Sequence, residues 1–234
     1  GGAVLHVGCD PKCDSAVRLL EGKGNIPTVL DALAKDPNLA SAHSILHQGR
    51  HGILCCESGG PEPGLGCGGR GVAKTLEFLD EMEVITNGGH DVVLFDVLGD
   101  VVCGGFAAPL RRGFAEKILI VISEEPMALF AANNISKAVN TYRRNGVFLG
   151  GFVANLKSPD ADRDMLQRFA EALPSSVLAF IPRDPEVQQA ERQRLPVMEA
   201  AAESDAALAL ADLAARVETL EPAGPPRPTP PAAH

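Results

Sequence analysis

"VLFDVLGDVVCGGF", residues 93–106, begins as an apolar strand and delivers a single carboxylate, Asp96, at its end. Uninterrupted apolar runs of this kind suit parallel strands covered on both faces. A carboxylate at the C-terminal edge of such a strand sits where ligands bind in open α/β sheets. There it is placed to hold Mg2+ through water; the alternative is an ordinary turn or helix-capping aspartate. Asp100 follows four residues later, and Cys103 three after that, beside two glycines. The runs "AVLHV" (3–7), "HGILCCES" (51–58), "EKILIVIS" (116–123), "VFLGGFVAN" (147–155) and "SVLAFIP" (176–182) have the same character. Helical patterns lie around 71–86, 125–145, 160–172, 184–194 and 204–219. This alternation predicts an α/β fold with a doubly wound, mostly parallel sheet. It reads as a single domain over residues 1–220, followed by a flexible Pro- and Ala-rich tail at 221–234.

The rest of the composition narrows the function. The chain has 234 residues, 45% of them hydrophobic and 22% charged, which suits a globular α/β domain. A formal net charge of -9 argues against non-specific nucleic-acid binding. No apolar run reaches membrane-span length and no signal-peptide pattern opens the chain, so a cytoplasmic setting without membrane contact is expected. Six cysteines then read as metal or redox ligands rather than disulfides.

"GCDPKCDS" (8–15) follows the first strand directly and offers Asp10, Lys12 and Asp14 on a turn fixed by Pro11. Mixed charges there suit a phosphate and Mg2+ switch; a polar turn with a helix cap at Asp14 or Ser15 is the plainer reading. Cys9 and Cys13 form C-x₃-C with no second pair nearby, a poor metal site. "GGRGVAKT" (68–75) approaches the phosphate-loop pattern but has Ala73 where glycine is required, and it does not follow a strand. His43, His47 and His51 recur every four residues, but Gly49 interrupts, so solvent-facing histidines near a helix end are favoured over a ligand set. "GGPEPGLGCGGRG" (59–71) sets Cys67 among seven glycines. Glycines leave backbone N–H groups able to reach cluster sulfurs. Cys67 and Cys103 are half of a four-thiolate set. A two-fold dimer would supply the other half; two unrelated buried thiols are the alternative.

The strings "VGCDPKCDS", "ESGGPEPGLGCGGRG", "DVLGDVVCGGFAAP", "LFAANNISKAV" and "IPRDPEVQQAE" run in order over roughly residues 3–200. Through them the chain resembles the nitrogenase iron protein family, whose fold is of the P-loop NTPase type. The resemblance implies an ATP-dependent reductase, an oxidoreductase coupled to ATP hydrolysis, that passes electrons from a dimer-bridging 4Fe-4S cluster to nitrogenase. It implies that Cys67 and Cys103 ligate the cluster, one pair from each subunit of a homodimer. Asp96 then matches the Walker B aspartate, and Asp100 the second switch. Asp10, Lys12 and Asp14 match the first switch, near phosphate, Mg2+ and the partner surface. Asn155, Pro182, Asp184 and Gln188 fall at the adenine end of ATP. Arg70 matches the arginine that faces the partner and is ADP-ribosylated in some members. The implied partners are a larger nitrogenase-like catalytic component and an electron donor such as ferredoxin or flavodoxin.

Two departures qualify the resemblance. The family's phosphate-loop segment, "GKGGIGKS", is missing together with its strand and helix, and an Ala-rich helix with a Pro-rich tail replaces the usual ending. The first β-loop-α unit, about thirty residues, is therefore expected to precede Gly1 in the intact protein. The chain alone is not expected to hydrolyse ATP in the family manner. Alternative readings are the iron protein of a nitrogenase-like reductase (protochlorophyllide or chlorophyllide, methanogen cofactor, alkyl sulfide) and a degenerate, non-hydrolysing binding module.

Overall fold

The apolar runs become strands where the alternation places them. The computed structural model describes residues 2–22, 26–36, 41–60, 68–99, 107–111 and 113–221. Its contacts divide the chain into two units, Gly1–Phe114 and Ala115–His234, each with its own sheet.

The first unit holds β1 (Val4–Gly8), β2 (His47–Gln48), β3 (Leu54–Glu57) and β4 (Val92–Asp96) in the order β2-β3-β1-β4. β1 pairs in parallel with both β3 and β4; only the short β2 runs antiparallel. Its helices are α1 (Val29–Lys35), α2 (Ala42–Ile45), α3 (Gly68–Glu81), α4 (Val84–Asn87) and α5 (Ala108–Arg111). α1 opens on a capping box: Asp31 N–H donates to the Thr28 hydroxyl at 3.1 Å and Thr28 N–H to the Asp31 carboxylate at 3.2 Å. Side chains alternate across each strand, so the sheet serves two cores. Leu5 and Val7 join Cys56, Val72, Leu76 and Leu79 on one side. On the other, Cys55 meets Ala16, Leu20 and Ile26.

β4 departs from the expected two-sided burial. Val93 and Phe95 pack on the core, but Val92 and Leu94 are 48% and 49% exposed. β4 is the terminal strand of its sheet, and among the described residues nothing covers that face. Two other segments settle in the unit. "GGRGVAKT" is helical from Gly68, the start of α3, so it forms no phosphate loop. His43, His47 and His51 fall in α2, in β2 and in the 3₁₀ turn Arg50–Gly52, on no common helical face.

The second unit is a parallel sheet of β5 (Lys117–Ile122), β6 (Phe148–Asn155) and β7 (Val177–Ile181) in sequence order. It carries α6 (Pro126–Tyr142), α7 (Arg163–Ala172), α8 (Pro185–Arg192), α9 (Val197–Ala200) and α10 (Asp205–Glu218). α6 begins with Pro126, whose missing N–H costs nothing at a helix start. Ala206 and Ala207 are fully buried, and the Arg216 guanidinium donates to the Leu178 carbonyl at 3.0 Å, so the Ala-rich α10 closes against β7. Both units are α/β with mostly parallel strands, as the alternation predicts.

Candidate functional site

Three strand ends meet in the first unit. Gly8 lies in register between Glu57 on β3 and Asp96 on β4. The order β3-β1-β4 makes β1 the point from which connections leave in both directions, the usual place for a ligand crevice at the carboxyl ends. A side chain at position 8 would overlap the Glu57 carboxylate, so glycine is what makes room for it. Glu57 is 1% exposed. Its Oε1 accepts the Ala16 N–H at 2.7 Å, and its Oε2 is buried with no hydrogen-bond partner among the described residues. Burial pushes this carboxyl above its ordinary value against the pull of the Ala16 N–H, and the nearby charges of Asp14, Asp96 and Asp10 push the same way.

The loop after β1 crosses these strand ends. The Cys9 N–H donates to the Asp96 carbonyl at 2.9 Å, which prolongs the β1–β4 ladder. Asp10 then closes a tight turn: its carboxylate accepts the Lys12 N–H at 2.9 Å and its carbonyl the Cys13 N–H at 3.0 Å. Cys13 sits in the left-handed region at φ 55°. The Lys12 ammonium lies 3.2 Å from the second Asp10 oxygen and is otherwise in solvent. That hydrogen bond, with the charges of Asp10 and Asp14, holds it above its ordinary value. Ser15 donates its hydroxyl proton to Asp96 Oδ2, and His6 Nε2 stands 2.7 Å from the same Ser15 oxygen. The loop also abuts the backbone leading toward Cys67: a Cβ on Gly60 would lie 2.5 Å from Pro11 Cβ.

Asp10, Lys12, Asp14 and Asp96 are thus gathered at one sheet edge. Arg70 is exposed in the first turn of α3. Cys67, Asp100 and Cys103 lie outside the described residues. The other four cysteines are packed thiols. Cys9, Cys55 and Cys56 are buried, and burial is the main cause holding Cys9 at about 12 and Cys13 and Cys55 at about 11. Among the described residues no three His, Cys, Asp or Glu side chains are grouped so as to hold a metal ion. His6, Ser15 and Glu57 complete the site. The signals for them are one histidine inside an otherwise apolar strand, and a glutamate closing another.

The second unit brings a further group together. Asn155 ends β6 in register with Ile181 of β7, and Pro182 follows immediately, so both lie at neighbouring strand ends. Gln188 is exposed one turn into α8. Asp184 works as scaffold, since one of its oxygens accepts the Glu186 N–H at 2.9 Å and the other the Ala206 N–H at 3.1 Å. It caps α8 and tethers the start of α10, and these donors, Ala206 first, hold its carboxyl below the ordinary value. Glu124 does the same for the loop after β6, accepting N–H groups of Lys157 and Ser158, each at 3.0 Å. Desolvation opposes its ionisation, but donors from its own backbone, Lys157 and Ser158 outweigh it and hold the carboxyl low.

Known proteins share both sequence and fold with this chain. The family described as 4Fe-4S iron sulfur cluster binding proteins, NifH/frxC family, matches residues 1–233. A nitrogenase iron protein from Methanococcus voltae is 42% identical over 216 residues, 92% of this chain and 77% of its own length. Among solved structures, the septum site-determining protein MinD of Pyrococcus horikoshii, complexed with Mg-ADP, superposes with a TM-score of 0.71 at 21% identity. That match covers 94% of this chain and 84% of MinD. A ParA family ATPase from Chlorobium tepidum gives a TM-score of 0.67 at 12% identity, over 92% and 85% of the two chains. At these identities the structural matches speak for the fold, that of the P-loop NTPases.

Proposed function

The chain belongs to the NifH/frxC family of 4Fe-4S iron sulfur cluster binding proteins, and we propose that it works as the ATP-dependent electron-transfer reductase of a nitrogenase. In this reading two copies form a homodimer, and Cys67 and Cys103 of each hold one shared 4Fe-4S cluster. When bound, the cluster supplies one-electron chemistry. Asp96 holds the Mg2+ of ATP through water, Asp10, Lys12 and Asp14 answer to the phosphates, and Asp100 leads from Asp96 to Cys103. Asn155, Pro182 and Gln188 hold the adenine, while Asp184 fixes the helix that carries Gln188. Arg70 faces the larger catalytic component, and a ferredoxin or flavodoxin reloads the cluster.

One observation carries this reading. The two strand ends that lead into Cys67 and Cys103 are those of β3 and β4, and their carboxylates, Glu57 and Asp96, grip the same dipeptide, Ser15–Ala16. The loop of Asp10, Lys12 and Asp14 is therefore tied by direct hydrogen bonds to the strands that precede both cysteines. A change of loop position has a short route to both.

Anaerobic reconstitution tests the proposal. Cys103→Ala should abolish iron retention, whereas Cys56→Ala, which alters a fully buried thiol, should keep it. About one cluster per two chains is expected from the two-fold arrangement. A stable monomer without iron, or equal loss from both variants, would sink it. The DNA upstream of Gly1 offers a second test. A strand and phosphate loop encoded there support hydrolysis; their absence favours the non-hydrolysing binding module.

A further inference from the structure

His6 is the one polar side chain of β1, and it is buried at 7% exposure. Its face of the strand also carries Gly8, with Cys55 and Leu94 as its register partners on either side. Nothing about an apolar strand requires an imidazole there, and its cost must be met by a hydrogen bond. The bond is to Ser15, at 2.7 Å. Ser15 has a single proton, and that proton goes to Asp96 Oδ2. The Ser15 oxygen can then only accept from His6, so the hydrogen between them belongs to the imidazole. The direction of the whole chain follows: His6 Nε2–H to Ser15 Oγ, and Ser15 O–H to Asp96.

We infer that His6 is a positioning residue of this site, which acts through Ser15 to fix the Asp96 carboxylate with Oδ2 committed inward and Oδ1 left for the ligand. Among the described residues Oδ1 takes no hydrogen bond. Asp96 therefore offers one oxygen to a cation or its water, unless the Ser15 bond is given up. The same bond anchors the loop of Asp10, Lys12 and Asp14, because Ala16, the next residue, is held by Glu57. Burial, the main influence on the ring, keeps His6 below its ordinary value, partly opposed by Asp96, in keeping with a neutral Nε2–H donor. The inference rests on the reading of Asp96 as the carboxylate that serves nucleotide-bound magnesium.

The test is made on the full chain without nucleotide. Ring nitrogen shifts of the six histidines are recorded near neutral pH on ¹⁵N-labelled protein, with His6 assigned by its loss in His6→Gln. The expected state is hydrogen on Nε2 with Nδ1 bare, and Ser15→Ala should weaken that preference. Hydrogen on Nδ1 with Nε2 bare would overturn the inference. Amide exchange at Ala16 gives the second readout. His6→Leu should speed it roughly tenfold, the scale of one lost buried hydrogen bond, and His6→Gln, whose amide reaches the same point, should restore it. Equal exchange in wild type and His6→Leu would also overturn it. Should His6→Leu fail to fold, the ring shifts of the unaltered protein still decide. Failure to bind nucleotide would sink the proposed function and leave these results standing, so the two failures are distinguishable.

Discussion

Two pairs of strand-end carboxylates, Asp184 and Glu124 in the second unit and Glu57 and Asp96 in the first, are treated in opposite ways. In the second, Asp184 and Glu124 are saturated by backbone N–H groups and held below their ordinary values. In the first, Glu57 is buried with one oxygen unpartnered among the described residues and is pushed upward, and Asp96 is held through one oxygen by the Ser15 hydroxyl. Saturated carboxylates make scaffold; undersatisfied ones at strand ends mark a place where something must arrive or move.

Substitutions can break this contrast. Gly8→Ala should cost the most, about 3 kcal/mol, because a methyl group would overlap a carboxylate in a packed core. Glu57→Ala in the same chain should recover much of that loss, since the two sites share one space. Asp184→Ala should cost about 1–2 kcal/mol through the lost cap. Its folded-state value is lowered, so the wild-type advantage is present above the ordinary 3.8 and fades as pH falls below it. Gly150→Ala, in β6, meets the ends of Leu220 and Leu119 at 3.2 and 3.3 Å and the Ile118 carbonyl oxygen at 3.4 Å, and should cost under about 1 kcal/mol. Denaturant unfolding compares them, and equal losses at Gly8 and Gly150 would erase the distinction.

Glu57 should behave in the reverse sense to Asp184. The folded state holds its proton more tightly than the unfolded chain does. Stability from this group is therefore full below the ordinary 4.5 and is lost as pH rises toward the raised value. Wild type should lose ground to Glu57→Gln over that rise, measured by thermal unfolding at a series of pH values. A gap that does not vary with pH would mean that Glu57 titrates as an ordinary surface carboxyl. Lys12→Ala should change the melting temperature little, because the Lys12 side chain is 71% exposed even though the Asp10 carboxylate that it pairs with is mostly covered.

Much of the fold is legible in the sequence because buried parallel strands leave long apolar runs, and all six runs contain strands. β4 differs from its reading in one respect. An apolar run does not reveal whether both faces are covered, and Val92 and Leu94 are not. The short α1 and β2 give too little periodicity to see. Asp10, Lys12, Asp14 and Asp96 are readable as charges after apolar strands. Glu57, which closes β3, and His6, which lies inside β1, stand out as residue types, but their roles come from a register that only strand pairing sets. Asp184 is legible as a position but not as the tether of α10, since that partner, Ala206, is 22 residues away.

The terminal position of β4 bears on how this chain behaves in a test tube. A five-residue strand, VVLFD, with half-exposed valine and leucine and neither lysine nor proline, has a strand partner on one side only among the described residues of its sheet. β5, which begins with Lys117, is likewise a terminal strand of the sheet described in the second unit, with Val121 65% exposed. Such rims template intermolecular strand addition, so purified protein should be handled dilute and cold. A soluble β-strand peptide that occupies either rim should delay its clouding.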